Sequence, residues 1–114
     1  MDGAVLAVDK VAVPVDTIDH LMASNQLKEL DLLKIDTQGS EMSVLAGAST
    51  SLKERRIKFI IAELLFVPLY EKQSFFAEVT HHLWELGYDL FDFYDFVYGE
   101  NGQVKWGDGL FRLR

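Results

Sequence analysis

Cysteine is absent from the 114 residues. That excludes disulfides, thiolate metal sites and a cysteine nucleophile, and it fits a reducing compartment. Proline occurs only twice, as Pro14 and Pro68, which excludes collagen-like and proline-rich low-complexity structure. Positive charge is in short supply: 11 Lys+Arg face 18 Asp+Glu, for a formal charge of −7. Such a chain repels phosphate backbones, so nucleic acid is not an expected partner. Long apolar runs are missing too. The most apolar stretch, Phe59 to Tyr70, is interrupted by Glu63 and Pro68 and is too short to span a bilayer. The start, Met1-Asp2-Gly3-Ala4, has no basic region of the kind that opens a signal peptide. The expectation is a soluble, cytoplasmic protein with no membrane partner.

What is present describes one α/β domain spanning residues 1–114. Hydrophobic residues make up 49% and charged residues 25%, ordinary for a globular protein. A chain of this size buries roughly two-thirds of the surface its unfolded form exposes. Val5 to Val15, with Val11, Val13 and Val15 alternating, predicts a strand that Pro14 places at an edge or an end. Asp16 is a good N-cap for a short helix carrying Ile18, Leu21 and Met22 on one face. Asp31 to Asp36 reads as a buried strand running into the turn Thr37-Gln38-Gly39-Ser40, and a helix starts near Ser40 and ends by Arg55 and Arg56. Ile57 to Phe66 is a second buried strand, apolar enough to imply cover on both faces. A helix over about 74–86 follows, closed by Gly87. Tyr88 to Tyr98 alternates aromatics with Asp89, Asp92 and Asp95, and Asn101-Gly102 predicts a type I′ turn into Val104–Trp106 and Leu110–Leu113. The predicted order is β-α-β-α-β-α-β-β, with mostly parallel strands, helical crossovers and a C-terminal antiparallel hairpin.

Three groups of residues then carry a resemblance: Val13-Pro14-Val15-Asp16-Thr17-Ile18-Asp19; Leu33-Lys34-Ile35-Asp36-Thr37-Gln38-Gly39-Ser40-Glu41; and Val44-Leu45-Ala46-Gly47-Ala48. With Ala62-Glu63, Phe66-Val67-Pro68-Leu69-Tyr70, Gln73, Leu86-Gly87-Tyr88 and Asp108-Gly109-Leu110-Phe111, they resemble the FkbM family of S-adenosylmethionine-dependent methyltransferases across about residues 11–113. The resemblance implies the C-terminal half, strands four to seven, of a class I (Rossmann-like) methyltransferase sheet. The family's glycine-rich cofactor loop and ribose-binding acidic residue have no counterpart here. Gly107-Asp108-Gly109 has Arg112 where a dinucleotide fingerprint needs glycine, and no helix is predicted after it. The chain is therefore expected to be a fragment that binds S-adenosylmethionine only with its missing half.

The same resemblance sets out the candidate residues. Asp36, at the carboxyl end of a predicted strand, either takes a proton from an acceptor hydroxyl beside the cofactor's methyl group or caps the next helix. Lys34 leaves the same strand face and either tunes Asp36 or reaches for water. Asp36, Gln38 and Gly39 are the candidate cofactor contacts. Gly39 is expected at positive φ, with the amides after it forming a helix N-terminus that favours an anionic or polar group. Glu63, costly inside Ile-Ile-Ala-Glu-Leu-Leu-Phe, either shares one crevice with Asp36 as an acid/base or magnesium site or pairs with Lys34 or Arg56. Glu41, Tyr70 and Gln73 are candidate acceptor contacts. Glu41 also fits a helix dipole, and the 66–73 segment also fits loop packing. No resident metal is expected, His20, His81 and His82 are given no role, and the Asp89/Asp92/Asp95 series reads as a solvated strand side.

The leading expectation is O-methyl transfer to a small-molecule or sugar hydroxyl. The alternative is a non-catalytic α/β domain that forms a homodimer, or recruits the missing N-terminal half, through an open sheet edge. A third reading is a metal-dependent hydrolase using Asp36, Glu41 and Glu63.

Overall fold

A computed structural model describes Ala12 and residues 15–114. The strand expected from Val5 to Val15 lies, Ala12 and Val15 apart, outside the described residues. Among these, the order is α1 (Ile18–Ser24), β1 (Leu30–Ile35), α2 (Glu41–Ala46), α3 (Ser49–Lys53), β2 (Ile57–Leu65), α4 (Phe76–Glu85), β3 (Tyr88–Tyr98) and β4 (Val104–Leu113). No helix among them is long and apolar enough to cross a membrane.

The four strands form one mixed sheet in the order β1-β2-β4-β3. β1 pairs with β2 in parallel, whereas β4 runs antiparallel to both β2 and β3. This corrects the expectation of a mostly parallel sheet. The returning strand does not add to the outside of the sheet; it inserts between β2 and β3. The reason lies in Gly107 and Gly109. A Cβ on Gly109 would stand 2.6 Å from Leu64 Cδ1, and one on Gly107 would stand 2.7 Å from Phe96 Cδ1. The two glycines let β4 lie beneath bulky neighbours on the covered face, which suits a central position. β3 carries the exposed Phe91 and Tyr98 and takes the edge.

One sheet face is covered by helices. Ile60, Ala62 and Leu64 of β2 alternate onto it and pack with Ile35, Leu45, Leu52, Val79, Leu83 and Phe111. The other face carries Leu32, Phe59, Ile61 and Glu63, none of them fully buried. The continuous apolar run of β2 overstated the cover on that face: Phe59 and Ile61 are only partly buried, although Ile57 and Leu65 of the same strand are buried.

The expected helix from Ser40 to Arg56 is two short helices, broken at Gly47-Ala48. α1 begins after Thr17 and not Asp16, with Thr17 Oγ1 accepting the His20 N–H at 3.1 Å. The β3–β4 connection is not the two-residue type I′ turn. Gly102 alone there has positive φ (+85°), its N–H donates to Gly99 O at 3.0 Å, and the Gly99 N–H donates to Gln103 O at 2.8 Å.

Candidate functional site

β1 and β2 are parallel, so their carboxyl ends fall at one rim of the sheet. Asp36 stands one residue past the last paired rung, Ile35–Ala62, and Glu63 follows Ala62 on β2. Glu63 lies opposite Asp108 of β4, and Asp108 lies opposite Tyr94 of β3. Directly opposed residues project from the same sheet face, so Glu63, Asp108 and Tyr94 form one row across the open face. Asp36 continues it at the β1 end.

The electrostatics match this placement. Burial, and then the charges of Asp36, Glu41 and Asp108, push the Glu63 carboxyl above its usual range. Burial and the neighbouring Asp95 and Asp36 raise Asp108, against the opposing pull of Lys34. The Tyr94 phenol is raised by burial and by Asp108, Asp95 and Asp92. Among the described residues no ion pair engages Asp36, Glu63 or Asp108. Arg56, a suggested partner of Glu63, instead pairs with Glu54 at 2.6 Å. No group of three or more His, Cys, Asp or Glu side chains among the described residues is arranged to hold a metal ion.

Glu41 is the first residue of α2 and is 1% exposed. Its Oε1 accepts the Gly39 N–H at 3.4 Å, and its Oε2 has no partner among the described residues. Burial raises its carboxyl, its own and the Gly39 backbone N–H groups hold it down, and Asp36 raises it further. The expected anion-attracting helix N-terminus is thus already occupied by a side chain of the helix itself. Ser74 Oγ takes another of its amides, from Met42, at 3.1 Å. Gly39 has the positive φ expected of it (+109°), and Gln38 beside it is also positive at +52°.

The second wall is the loop after β2. Gln73, read from sequence as an acceptor contact, is buried and turned into its own loop. Its Oε1 accepts the Leu69 and Tyr70 amides at 2.7 and 2.8 Å, and its Nε2 donates to Val67 O at 2.9 Å. Gln73 therefore shapes Pro68-Leu69-Tyr70, which with Glu71 lines a shallow hollow of about 290 Å³. Tyr70 is 37% exposed at that hollow. The two loops are joined directly: the Ser74 N–H donates to Gly39 O at 2.7 Å, and a Cβ on Gly39 would stand 3.0 Å from Gln73 Cβ and 3.3 Å from the Tyr70 ring.

The structure thus brings together Asp36, Glu63 and Glu41, and sets Gln38, Gly39, Tyr70 and Gln73 around the same rim. Sequence reasoning missed Asp108 and Tyr94. A carboxylate between two glycines in an apolar strand was the available signal for Asp108; nothing distinguished Tyr94 among the aromatics of its strand. Of the Asp89/Asp92/Asp95 series, Asp89 and Asp92 stand opposite Arg112 and Leu110 on one sheet face, and Asp92 and Asp95 are exposed. Asp89 pairs with Arg114 at 2.8 Å, and Asp95 sits at φ +55° where the ladder is irregular.

A family model described as the methyltransferase FkbM domain matches residues 6–90, most of the chain. Asp108 and the rest of β4 lie beyond the matched span. No curated protein and no solved structure matches.

Proposed function

Because the chain belongs to the FkbM methyltransferase family, we propose that its rim carboxylates serve methyl transfer from S-adenosylmethionine to an acceptor oxygen. The observation that carries this reading is the juxtaposition of Asp36 and Glu63 at adjacent parallel strand ends, with no internal counter-ion among the described residues. Ligands of open α/β sheets gather at such ends. The β1-β2-β4-β3 order supports reading the sheet as the C-terminal half of a class I methyltransferase, with β4 as its antiparallel strand.

The residues present fit the methyl-bearing end of the cofactor. Its sulfonium is positive, and the rim offers acceptor-only oxygens, including Glu41 Oε2, which has no partner among the described residues. Asp36, Gln38 and Gly39 would hold it there, Gly39 by allowing close backbone approach. When bound, the cofactor supplies an electrophilic methyl group. Glu63, its carboxyl held above the usual range by burial and like charges, takes the proton from the acceptor hydroxyl. Asp36 orients that hydroxyl, and Tyr70 contacts the acceptor from the loop. Gln73 acts through the loop it holds. Sugars and other hydroxylated small molecules are the proposed acceptors.

The test is transfer of labelled methyl from S-adenosylmethionine to a panel of hydroxylated acceptors. Glu63→Gln is expected to lower the rate by about 10²–10⁴-fold, the usual contribution of a positioned general base. Transfer by Glu63→Gln and Asp36→Asn at the parent rate would overturn the assignment.

A further inference from the structure

A sheet with one wet face alternates apolar and polar residues along its strands. β2 does not: its open-face positions are Ile57, Phe59, Ile61, Glu63 and Leu65, and Glu63 alone is polar. Ile57 and Leu65 at its ends are buried, but the middle of the face is not. Leu32 stands beside Phe59, and Leu110 beside Ile61, so an apolar band crosses β1, β2 and β4. Leu32 is 49% exposed and Phe59 37%, and Ile61 and Leu110 are half-buried. A contiguous apolar surface with charges at its rim marks an interaction site.

The order of side chains across the strands selects the partner. One rung runs Lys34–Ile61–Leu110–Asp92 from β1 to β3: a cation, two aliphatics and an anion. Lys34 and Asp92 are both exposed. Turned over about a two-fold axis that lies along the strands between β2 and β4, this rung is its own complement. Lys34 then meets the second copy's Asp92, and Ile61 meets the second copy's Leu110. The rung before it, Leu32–Phe59–Arg112–Asp89, sets Phe59 against the second copy's Arg112. That guanidinium already lies over a ring, 4.4 Å from the centroid of Phe91, so an aromatic neighbour suits it. The rung after it sets Glu63 against the second copy's Asp108. Like charges repel there, so the contact ends short of that rung and leaves the rim open.

We propose that two copies of this chain pair through the open faces of their sheets, each Lys34 against the other's Asp92 around a centre of Ile61 and Leu110. The surface is the sheet face and not the free edge of β1, and the pairing does not rest on the methyl-transfer reading. Aligned sheets pack about 10 Å apart, a gap that aliphatic side chains fill and a lysine stem crosses. Four strands by three rungs cover about 20 × 20 Å. That is smaller than a standard interface, so the association is weak, with a Kd of about 10 µM to 1 mM.

The experiment is analytical ultracentrifugation of the full chain across about 10 µM to 1 mM, where a reversible monomer–dimer equilibrium is expected. Lys34→Asp and Asp92→Lys are each expected to weaken pairing at least about tenfold, because every reversal turns two attracting pairs into two repelling ones. The double variant restores both pairs with their roles exchanged, and its Kd is expected within about threefold of the parent's. In the parent, NMR amide shifts that depend on concentration are expected at Leu32, Phe59, Ile61 and Leu110, which locates the contact without any variant. A chain monomeric at about 1 mM, single reversals that pair as the parent does, or a double variant that fails to recover would each overturn the proposal. So would shifts confined to β1, which assign pairing to its edge, or contacts from residues 1–11 onto Phe59 within a monomer.

Discussion

At the N-terminus of α3 the group that accepts the free amides comes from another helix. Asp19 of α1 takes the Thr50 N–H at 3.0 Å, the Ser51 N–H at 2.9 Å and the Ser51 hydroxyl at 2.6 Å. Burial alone would raise its carboxyl, but the hydrogen bonds from Ser51 and Thr50 outweigh it and hold the group below its usual range. A depressed folded value means the native state binds fewer protons. The stabilisation is complete above the unfolded carboxylate range and is lost as pH falls through the folded value. Asp19→Ala is expected to cost about 1–2 kcal/mol near neutrality. Urea unfolding at stepped pH should show the gap between variant and parent closing below about pH 3. Asp19 stands in the first turn of its own helix, and a partner 32 positions away leaves no local trace in the sequence. Gln73 is a different case: its partners Val67, Leu69 and Tyr70 lie within six positions, and only the folded loop shows the amide turned onto them. Asp36 and Glu63 stand out in the sequence because a carboxylate against an apolar run is an anomaly visible in the string itself.

At the scale of elements, strand and helix positions followed from periodicity, whereas sheet order did not. β2 and β4 were both expected as strands, yet nothing local says that β4 lies between β2 and β3. The physical determinant, removal of side chains at Gly107 and Gly109, makes sense only once Leu64, Leu90 and Phe96 are seen above them. Gly109→Ala places a methyl group 2.6 Å from Leu64 Cδ1 and 3.2 Å from Leu90 Cδ1. Overpacking of this kind costs about 1–3 kcal/mol, so the urea midpoint is expected to fall with little change in slope. An unchanged midpoint would show that Leu64 has another rotamer to take. The helix break at Gly47-Ala48 was likewise hidden, because the apolar stripe runs through it: Leu45, Ala48 and Leu52 are all buried.

At the scale of the whole molecule, the rim gathers Asp36, Glu41, Glu63 and Asp108 with no ion pair to any of them among the described residues. Glu41, Glu63 and Asp108 all titrate above their usual values, chiefly through burial and then, in part, through one another and Asp36. Here the native state binds more protons than the unfolded chain, so these groups lower stability as pH rises from the ordinary carboxylate range through their raised values. The melting temperature is expected to be higher in about 0.5 M than in about 0.05 M sodium chloride, because salt screens the mutual repulsion. The difference should be larger at about pH 8 than at about pH 4.5, where protonation removes part of the repulsion. Differential scanning calorimetry at the four conditions checks this, and a salt effect independent of pH would place its origin outside the rim. A mechanical consequence follows from the bonds that Ser74 makes to Gly39 and Met42. The segments that follow two neighbouring strands are riveted by one serine, so a load applied to either is transmitted to the other.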